Sequence, residues 1–239
     1  MKTHRFIGNF NIKPGDLRIG DPELFNQIKS VLKLKIGEKI ILGDGRMNEG
    51  LAEIKELGRD FIGVEIGGIN TNINEPSRHI ILCCSILKRE NFELVVQKAT
   101  EAGVKEIIPI ITERTVKLNI RPDRLEKIIK EAAEQSGRGI VPILRDPVNF
   151  VDATGGVNRN GINIIFDMSG EIFGNWKLEI GNYPLGVWIG PEGGWTDKEL
   201  ERARVENFKI FNLGKLTLRA ETAAIIGTYL IVHNFSVAL

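Results

Sequence analysis

Two short stretches near the C-terminus carry the residues best suited to holding a small molecule. They are Gly190-Pro191-Glu192-Gly193-Gly194 and Leu213-Gly214-Lys215-Leu216-Thr217-Leu218-Arg219-Ala220-Glu221-Thr222-Ala223. Each follows a short apolar run, Leu185 to Ile189 and Phe208 to Leu213, and each leads into a helical pattern. Loops at the C-terminal ends of strands are where open α/β sheets bind ligands. Glycine there lets the backbone approach without a Cβ in the way. Neither loop is built for phosphate, because the closing Lys-Ser/Thr of a Walker A motif and the G-x-G-x-x-G spacing are both missing. What they offer is backbone N–H and C=O groups beside Val187, Trp188 and Ile189, and again among Leu213, Leu216 and Leu218. Such walls suit a neutral, flat, partly apolar group such as adenine. Arg219 and Glu221 add charge where a purely structural connection has little need of it.

The elements around these loops read as alternating strands and helices from His79 onward. Ile80 to Leu87 is a buried-strand run, and Phe92, Val95, Val96 and Ala99 make a helical face that Gly103 ends. Ile107 to Ile111, Val141 to Leu144, Ile162 to Met168 and Leu185 to Ile189 read as further strands, with a helix opened by Pro122 and closed by Gly137. Thr196-Asp197-Lys198-Glu199 is a capping box directly behind the glycine loop. The last helix, from about Ala220 to Val232, is apolar nearly all round and is expected to be buried on most sides. This alternation implies an α/β fold with a mainly parallel sheet. Residues 1–72 differ: one helix capped by Asp21-Pro22, a hairpin at Gly43-Asp44-Gly45 and a turn at Gly58-Arg59-Asp60 suggest a small β-barrel. The polar, turn-rich segment from Gly67 to Pro76 reads as the linker, giving domains 1–72 and 73–239.

Composition narrows the function classes. The chain has 239 residues, 42% of them hydrophobic, enough for one large core or two smaller ones. Lys plus Arg (32) balances Asp plus Glu (31), so net charge does not decide for or against nucleic acid. Residues 1–40 nevertheless hold eight basic residues against four acids, an excess able to follow a phosphate backbone. Cys83 and Cys84 are adjacent in a predicted strand, point to opposite faces and read as buried structural thiols. His4, His79 and His233 are scattered, so no metal site is expected. No secretory signal is visible at the N-terminus, and the longest apolar stretch is too short to span a bilayer, so the expected location is cytoplasmic.

The glycine loop from Ile189, the Leu-Gly…Leu-Arg-x-Glu-Thr-Ala segment at 213–223 and Glu131-Ala132-Ala133-Glu134-Gln135-Ser136-Gly137-Arg138 together resemble the RsmE family. Gln97 to Val104 and Glu113-Arg114-Thr115 are similar to family patterns too. The resemblance implies a SPOUT-class enzyme that uses S-adenosylmethionine to methylate N3 of a uridine in small-subunit (16S) ribosomal RNA. It implies a trefoil knot at the C-terminus, a homodimer through the knotted region, and a PUA-like RNA-binding barrel at the N-terminus. The cofactor would lie against Ile189, Gly190, Pro191, Glu192, Gly193, Gly194, Leu213, Gly214, Leu216, Thr217, Leu218, Thr222 and Ala223. Leu216 departs from the family, which usually has Arg at that position.

Methyl transfer from a sulfonium is an in-line displacement and needs alignment rather than a metal. Uridine N3 must lose its proton, and the charge then spreads onto the uracil carbonyls, where a fixed guanidinium would stabilise it. Arg219 is the first candidate for that role and Arg138 the second. Glu221 either takes the proton or holds the helix start and Arg219. Because N3 lies on the Watson–Crick edge, the base must be unpaired. Arg5, Arg18, Lys88, Arg89 and Arg114 are the expected RNA contacts, and Glu192 is expected to organise its loop. Two alternatives remain at this level: a SPOUT enzyme acting on another RNA or position, and a non-catalytic RNA-binding assembly factor.

Overall fold

The computed structural model describes residues 3–116, 119–174 and 182–235. It divides into two units, Met1–Glu75 with Ala133–Val141, and Pro76–Ala132 with Pro142–Leu239.

In the first unit, alternating apolar residues build five strands: β1 (His4–Ile7), β2 (Gly15–Ile19), β3 (Lys39–Gly43), β4 (Asn48–Leu57) and β5 (Ile62–Thr71). Their order is β1-β3-β4-β5-β2, antiparallel except for the β1–β3 pair. The β3–β4 hairpin turns where expected, and the Asp44 carboxylate accepts the backbone N–H groups of Arg46 and Asn48. Phe6, Ile40, Leu42, Ile54 and Ile62 form the core, covered by Leu24 and Ile28. Leu24 lies on α1 (Pro22–Asn26), where Asp21 accepts the Leu24 N–H at 2.9 Å. The helix then widens into a π-helical turn over Gln27–Val31.

The expected linker starts too early. β5 runs on to Thr71, and Gly67 and Gly68 lie inside it, where the pairing with β4 shifts register. The unit also continues past residue 72 and recruits Ala133–Val141, which the sequence reading gave to the other domain. The cause is non-local hydrogen bonding. The Glu75 carboxylate accepts the backbone N–H groups of Gly139 and Ile140 at 3.0 and 3.1 Å. Asn72 donates to the Gly137 carbonyl at 3.0 Å, and Met47 N–H to the Gly139 carbonyl.

The second unit is a seven-stranded sheet of β6 (Ile80–Ser85), β7 (Glu106–Ile111), β8 (Ile143–Leu144), β9 (Val148–Asn149), β10 (Ile162–Ile172), β11 (Leu185–Ile189) and β12 (Lys209–Asn212). Every pairing among these described strands is parallel. The order is β12-β10-β11-β6-β7-β8, with β9 also on β7. Both β6 and β11 are buried along their whole length, as continuous apolar runs require. Cys83 and Cys84 are wholly buried there, and burial pushes both thiols up, which keeps them neutral. From β6 the chain moves outward through β7, whereas from β11 it crosses β10 to reach β12. The chain therefore diverges at the C-terminal ends of β6 and β11, which is where a parallel sheet opens a crevice.

The helices are α2 (Arg89–Ala102), α3 (Pro122–Ser136), α4 (Phe150–Gly156), α5 (Asp197–Val205) and α6 (Ala220–Phe235). Gly103 ends α2 at φ +112°, and the capping box at Thr196 and Glu199 opens α5. The short helix α4 was missed, although Phe150 and Ala153 at i, i+3 were its signal. Strand β8 is only two residues long, against the four expected from Val141 to Leu144. The burial expected of α6 on most sides is partial within this chain. Ala224, Gly227, Thr228, Ile231 and Val232 are buried, but Ile226 is 39% and Tyr229 53% exposed, because α2 and the sheet cover one side only. No helix among the described residues is long and apolar enough to cross a membrane.

Between α2 and α3, Glu93 accepts from Arg124 at 2.6 and 2.8 Å and from Arg89 at 3.0 Å. The Arg124 hydrogen bond, with the help of Arg89, holds the Glu93 carboxyl down to about 2. A carboxyl depressed in the folded state stabilises above its unfolded value and loses that contribution as pH falls toward its folded one. The urea midpoint is therefore expected to fall more steeply between about pH 4.5 and pH 2 in the native chain than in Glu93→Gln.

Candidate active site

The crevice is a cavity of about 720 Å³ built from three strand ends and the start of one helix. After β11, Ile189 to Trp195 forms one wall, and after β12, Asn212, Leu213 and Leu216 to Glu221 form the opposite one. The end of β10 adds Phe166, Asp167 and Met168, and the start of α2 adds Lys88 and Asn91. Pro191 and Leu218, from loops more than twenty residues apart in the chain, thus line one space.

Local chemistry explains the shape of the glycine loop. Gly194 sits at φ +71° and donates its N–H to the Pro191 carbonyl at 2.9 Å, closing a tight turn. A Cβ on Gly190 would come within 3.0 Å of the Trp195 ring. Trp195 is buried, donates its indole N–H to the Phe166 carbonyl at 3.1 Å and packs on Phe150. Glu192 accepts the Lys88 backbone N–H at 3.2 Å, so it organises the loop by tying it to the start of α2. Gly194→Ala is expected to cost about 1–2 kcal/mol through backbone strain alone. An added methyl there meets nothing within 4 Å. A urea midpoint equal to that of the native protein would refute this.

The expected residues are not all brought together. Ile189 through Gly194, Leu213, Leu216, Thr217, Leu218, Arg219, Glu221 and Ala223 line the cavity, while Gly214 and Thr222 are outside its lining. Gly214, at φ +128°, instead donates to the Asn212 side chain and shapes the turn. Leu216 is 79% exposed, so it forms the outer edge of its wall. The Arg219 side chain is 86% exposed, with one Nη 4.0 Å from the mostly buried Glu221 carboxylate. Sequence reasoning missed Phe166, Asp167, Met168, Asn91 and Asn212. The signal for Asp167 was available: it directly follows the apolar run Ile164 to Phe166.

Three basic residues have other partners than expected. The Arg138 side chain is 4% exposed and gives Nε and Nη2 to Glu75 at 3.1 and 2.9 Å, so it offers no open face to a base. Arg5 is turned onto Glu49. Arg114 is exposed, yet its guanidinium donates to the carbonyls of Gly193 at 2.6 Å and Trp195 at 3.4 Å. Arg18 remains exposed with its guanidinium over the Phe61 ring, and Lys88 is exposed. Arg89 is half-exposed beside Glu93. Among the described residues no group of three His, Cys, Asp or Glu is placed to hold a metal ion.

A parallel sheet with a crevice between two glycine-containing loops, in a chain that also holds a β-rich unit, agrees with what the comparisons find: an RNA methyltransferase. The family model described as an RNA methyltransferase domain matches residues 74–232, and that described as an RNA methyltransferase PUA domain matches residues 21–67. The chain belongs to the ribosomal RNA small subunit methyltransferase E family. It is 32% identical to that protein of Rickettsia conorii over 233 residues, covering 94% of this chain and 93% of the relative. A ribosomal RNA small subunit methyltransferase E of Neisseria gonorrhoeae, solved bound to S-adenosyl methionine, superposes with a TM-score of 0.87 at 27% identity. That match covers 96% of this chain and 97% of the other. A Legionella pneumophila structure with the bound cofactor SAM matches equally well, at 28% identity and 98% coverage of each chain.

The cavity fits such a cofactor on its own chemistry. Ile189, Leu213 and Leu218 supply apolar walls, and the loop backbone supplies donors and acceptors for a base edge. The carboxylates of Asp167 and Glu221 suit hydroxyls and positive charge.

Proposed function

We propose that this protein is a S-adenosylmethionine-dependent methyltransferase acting on N3 of a uridine in small-subunit ribosomal RNA, in the cytoplasm. The observation that carries the reading is the convergence of both loops on one cavity with an exposed guanidinium, Arg219, at its mouth. When bound, the cofactor supplies a methyl carbon on a positively charged sulfur.

The chain's residues do the rest. Backbone groups of Gly190 to Gly194 and the side chains of Ile189, Leu213 and Leu218 hold and orient the adenosyl group. Arg219 faces the uracil carbonyls and stabilises the charge that grows there as N3 loses its proton. Three carboxylates line the cavity. Asp167 is occupied by the Ser169 N–H and hydroxyl at 2.8 and 2.6 Å, and Glu192 by the Lys88 N–H. Glu221 has its ion pair with Arg219 at 4.0 Å, and it takes the N3 proton and keeps Arg219 aimed. Lys88, Arg89 and Arg18 contact the RNA; Arg5 and Arg138 are structural. The C-terminal segment is threaded as a trefoil knot. The chain works as a homodimer, supported by the exposed Ile226 and Tyr229 on α6 and Leu216 on its preceding loop.

The test is transfer of tritiated methyl to small-subunit particles from a strain lacking the modification, followed by nucleoside analysis. Label in 3-methyluridine is the expected result, and label in a ribose-methylated or guanine product would overturn it.

A further inference from the structure

Arg114 lies beyond β7, on a loop that contributes nothing to the cavity lining, yet this loop is tied to the end of the glycine loop and to the start of α5. Four contacts make the tie. One Arg114 Nη donates to the Gly193 carbonyl at 2.6 Å and to the Trp195 carbonyl at 3.4 Å. The Glu113 N–H donates to the buried Glu199 carboxylate at 3.0 Å, and the Thr196 hydroxyl donates to Glu113 at 3.3 Å. The aliphatic stem of Arg114 also lies flat on Gly193: a Cβ built there would be 3.3 Å from Arg114 Cδ and 3.6 Å from its Cβ. Behind Arg114 the loop is itself fixed, since Thr115 Oγ1 accepts the Thr112 N–H at 2.9 Å and sits 3.1 Å from Ser85 Oγ at the end of β6.

Resting on the function proposed above, we propose that Arg114 is a positioning residue for the cofactor loop, and not an RNA contact. Its guanidinium engages the Gly193 and Trp195 carbonyls, and so pins the end of the loop whose residues 190–194 line the cavity. Gly193 is required less for its own conformation than for the Arg114 stem that covers it. Charge-assisted hydrogen bonds of this kind are among the stronger ones. The same Nη serves both acceptors, so a lysine retains part of the effect and a glutamine very little.

The experiment measures two affinities on the full chain: S-adenosylmethionine by calorimetry without RNA, and small-subunit RNA particles by filter binding without cofactor. Arg114→Gln is expected to weaken cofactor binding about 10- to 100-fold, to blue- or red-shift the tryptophan emission through Trp195, and to leave RNA affinity within about twofold. Arg114→Lys should fall between the two and serves as the readable variant if Arg114→Gln does not fold. Methyl transfer should show a raised KM for the cofactor and an unchanged KM for RNA. Native cofactor affinity in both variants would overturn the proposal, as would lost RNA affinity with cofactor binding intact. If the native protein itself fails to bind the cofactor, the functional reading falls first and this inference with it.

Discussion

Arg219→Ala is expected to lower kcat about 10²- to 10³-fold, the usual consequence of removing one donor to a developing oxyanion, while leaving cofactor affinity within about threefold. The split follows from where the side chain stands. Its side chain is 86% exposed and its ion pair with Glu221 is 4.0 Å long, so it contributes little to holding the fold together. Surface substitutions of this kind change stability by about 0.5 kcal/mol or less, so a large loss of rate reports chemistry rather than unfolding. The apolar walls and loop backbone that would carry the adenosyl group are untouched. Arg219→Lys restores charge but not the planar fork, and is expected to recover only part of the rate. Single-turnover methyl transfer under saturating cofactor measures the effect directly. A kcat within threefold of the native value would remove Arg219 from the chemistry and leave the uracil charge without a donor at the cavity mouth.

The parts of this protein that were legible in its sequence are those whose cause is local or periodic. Continuous apolar runs announced β6 and β11, because a strand buried on both faces has no polar side to show. The capping box at Thr196 and Glu199 marked the start of α5 because both partners lie within one turn. The two loops were readable as a site since each joins a strand end to a helix start, and their convergence on one cavity follows from the strand order. The partners of the basic residues were not legible. Arg138 finds Glu75 across 63 residues and Arg114 finds Gly193 across 79, and no periodicity links such positions. Both arginines therefore read as available for RNA or catalysis until the fold showed them occupied. The recruitment of Ala133–Val141 into the first unit is hidden for the same reason: its hydrogen bonds to Met47, Asn72 and Glu75 leave no mark in the local pattern. The open face of α6 was invisible for a different reason. An apolar helix looks the same whether its second face is covered by its own chain or stands exposed.

Arg138→Ala should show how different two arginines from one candidate pair can be. Its guanidinium and the Glu75 carboxylate are each 4% exposed, and Glu75 also receives the N–H groups of Gly139 and Ile140. Removing the cation leaves a carboxylate in a site with almost no water, an outcome that typically costs about 3–5 kcal/mol. Against a total of about 5–15 kcal/mol for a domain, that is enough to open the first unit detectably. Hydrogen exchange of the β3–β5 amides is the appropriate measure, because the two units need not unfold together and a single midpoint would blur them. Protection there is expected to drop by about 10²-fold or more. The double variant Arg138→Met with Glu75→Gln removes both charges, keeps an oxygen for the Gly139 and Ile140 N–H groups, and should recover most of the loss. It also decides between roles. If Arg138 only secures the fold, the double variant transfers methyl at close to the native rate. If instead Arg138 stabilised the uracil anion, that variant would be folded and inactive, and the assignment to Arg219 would have to be shared.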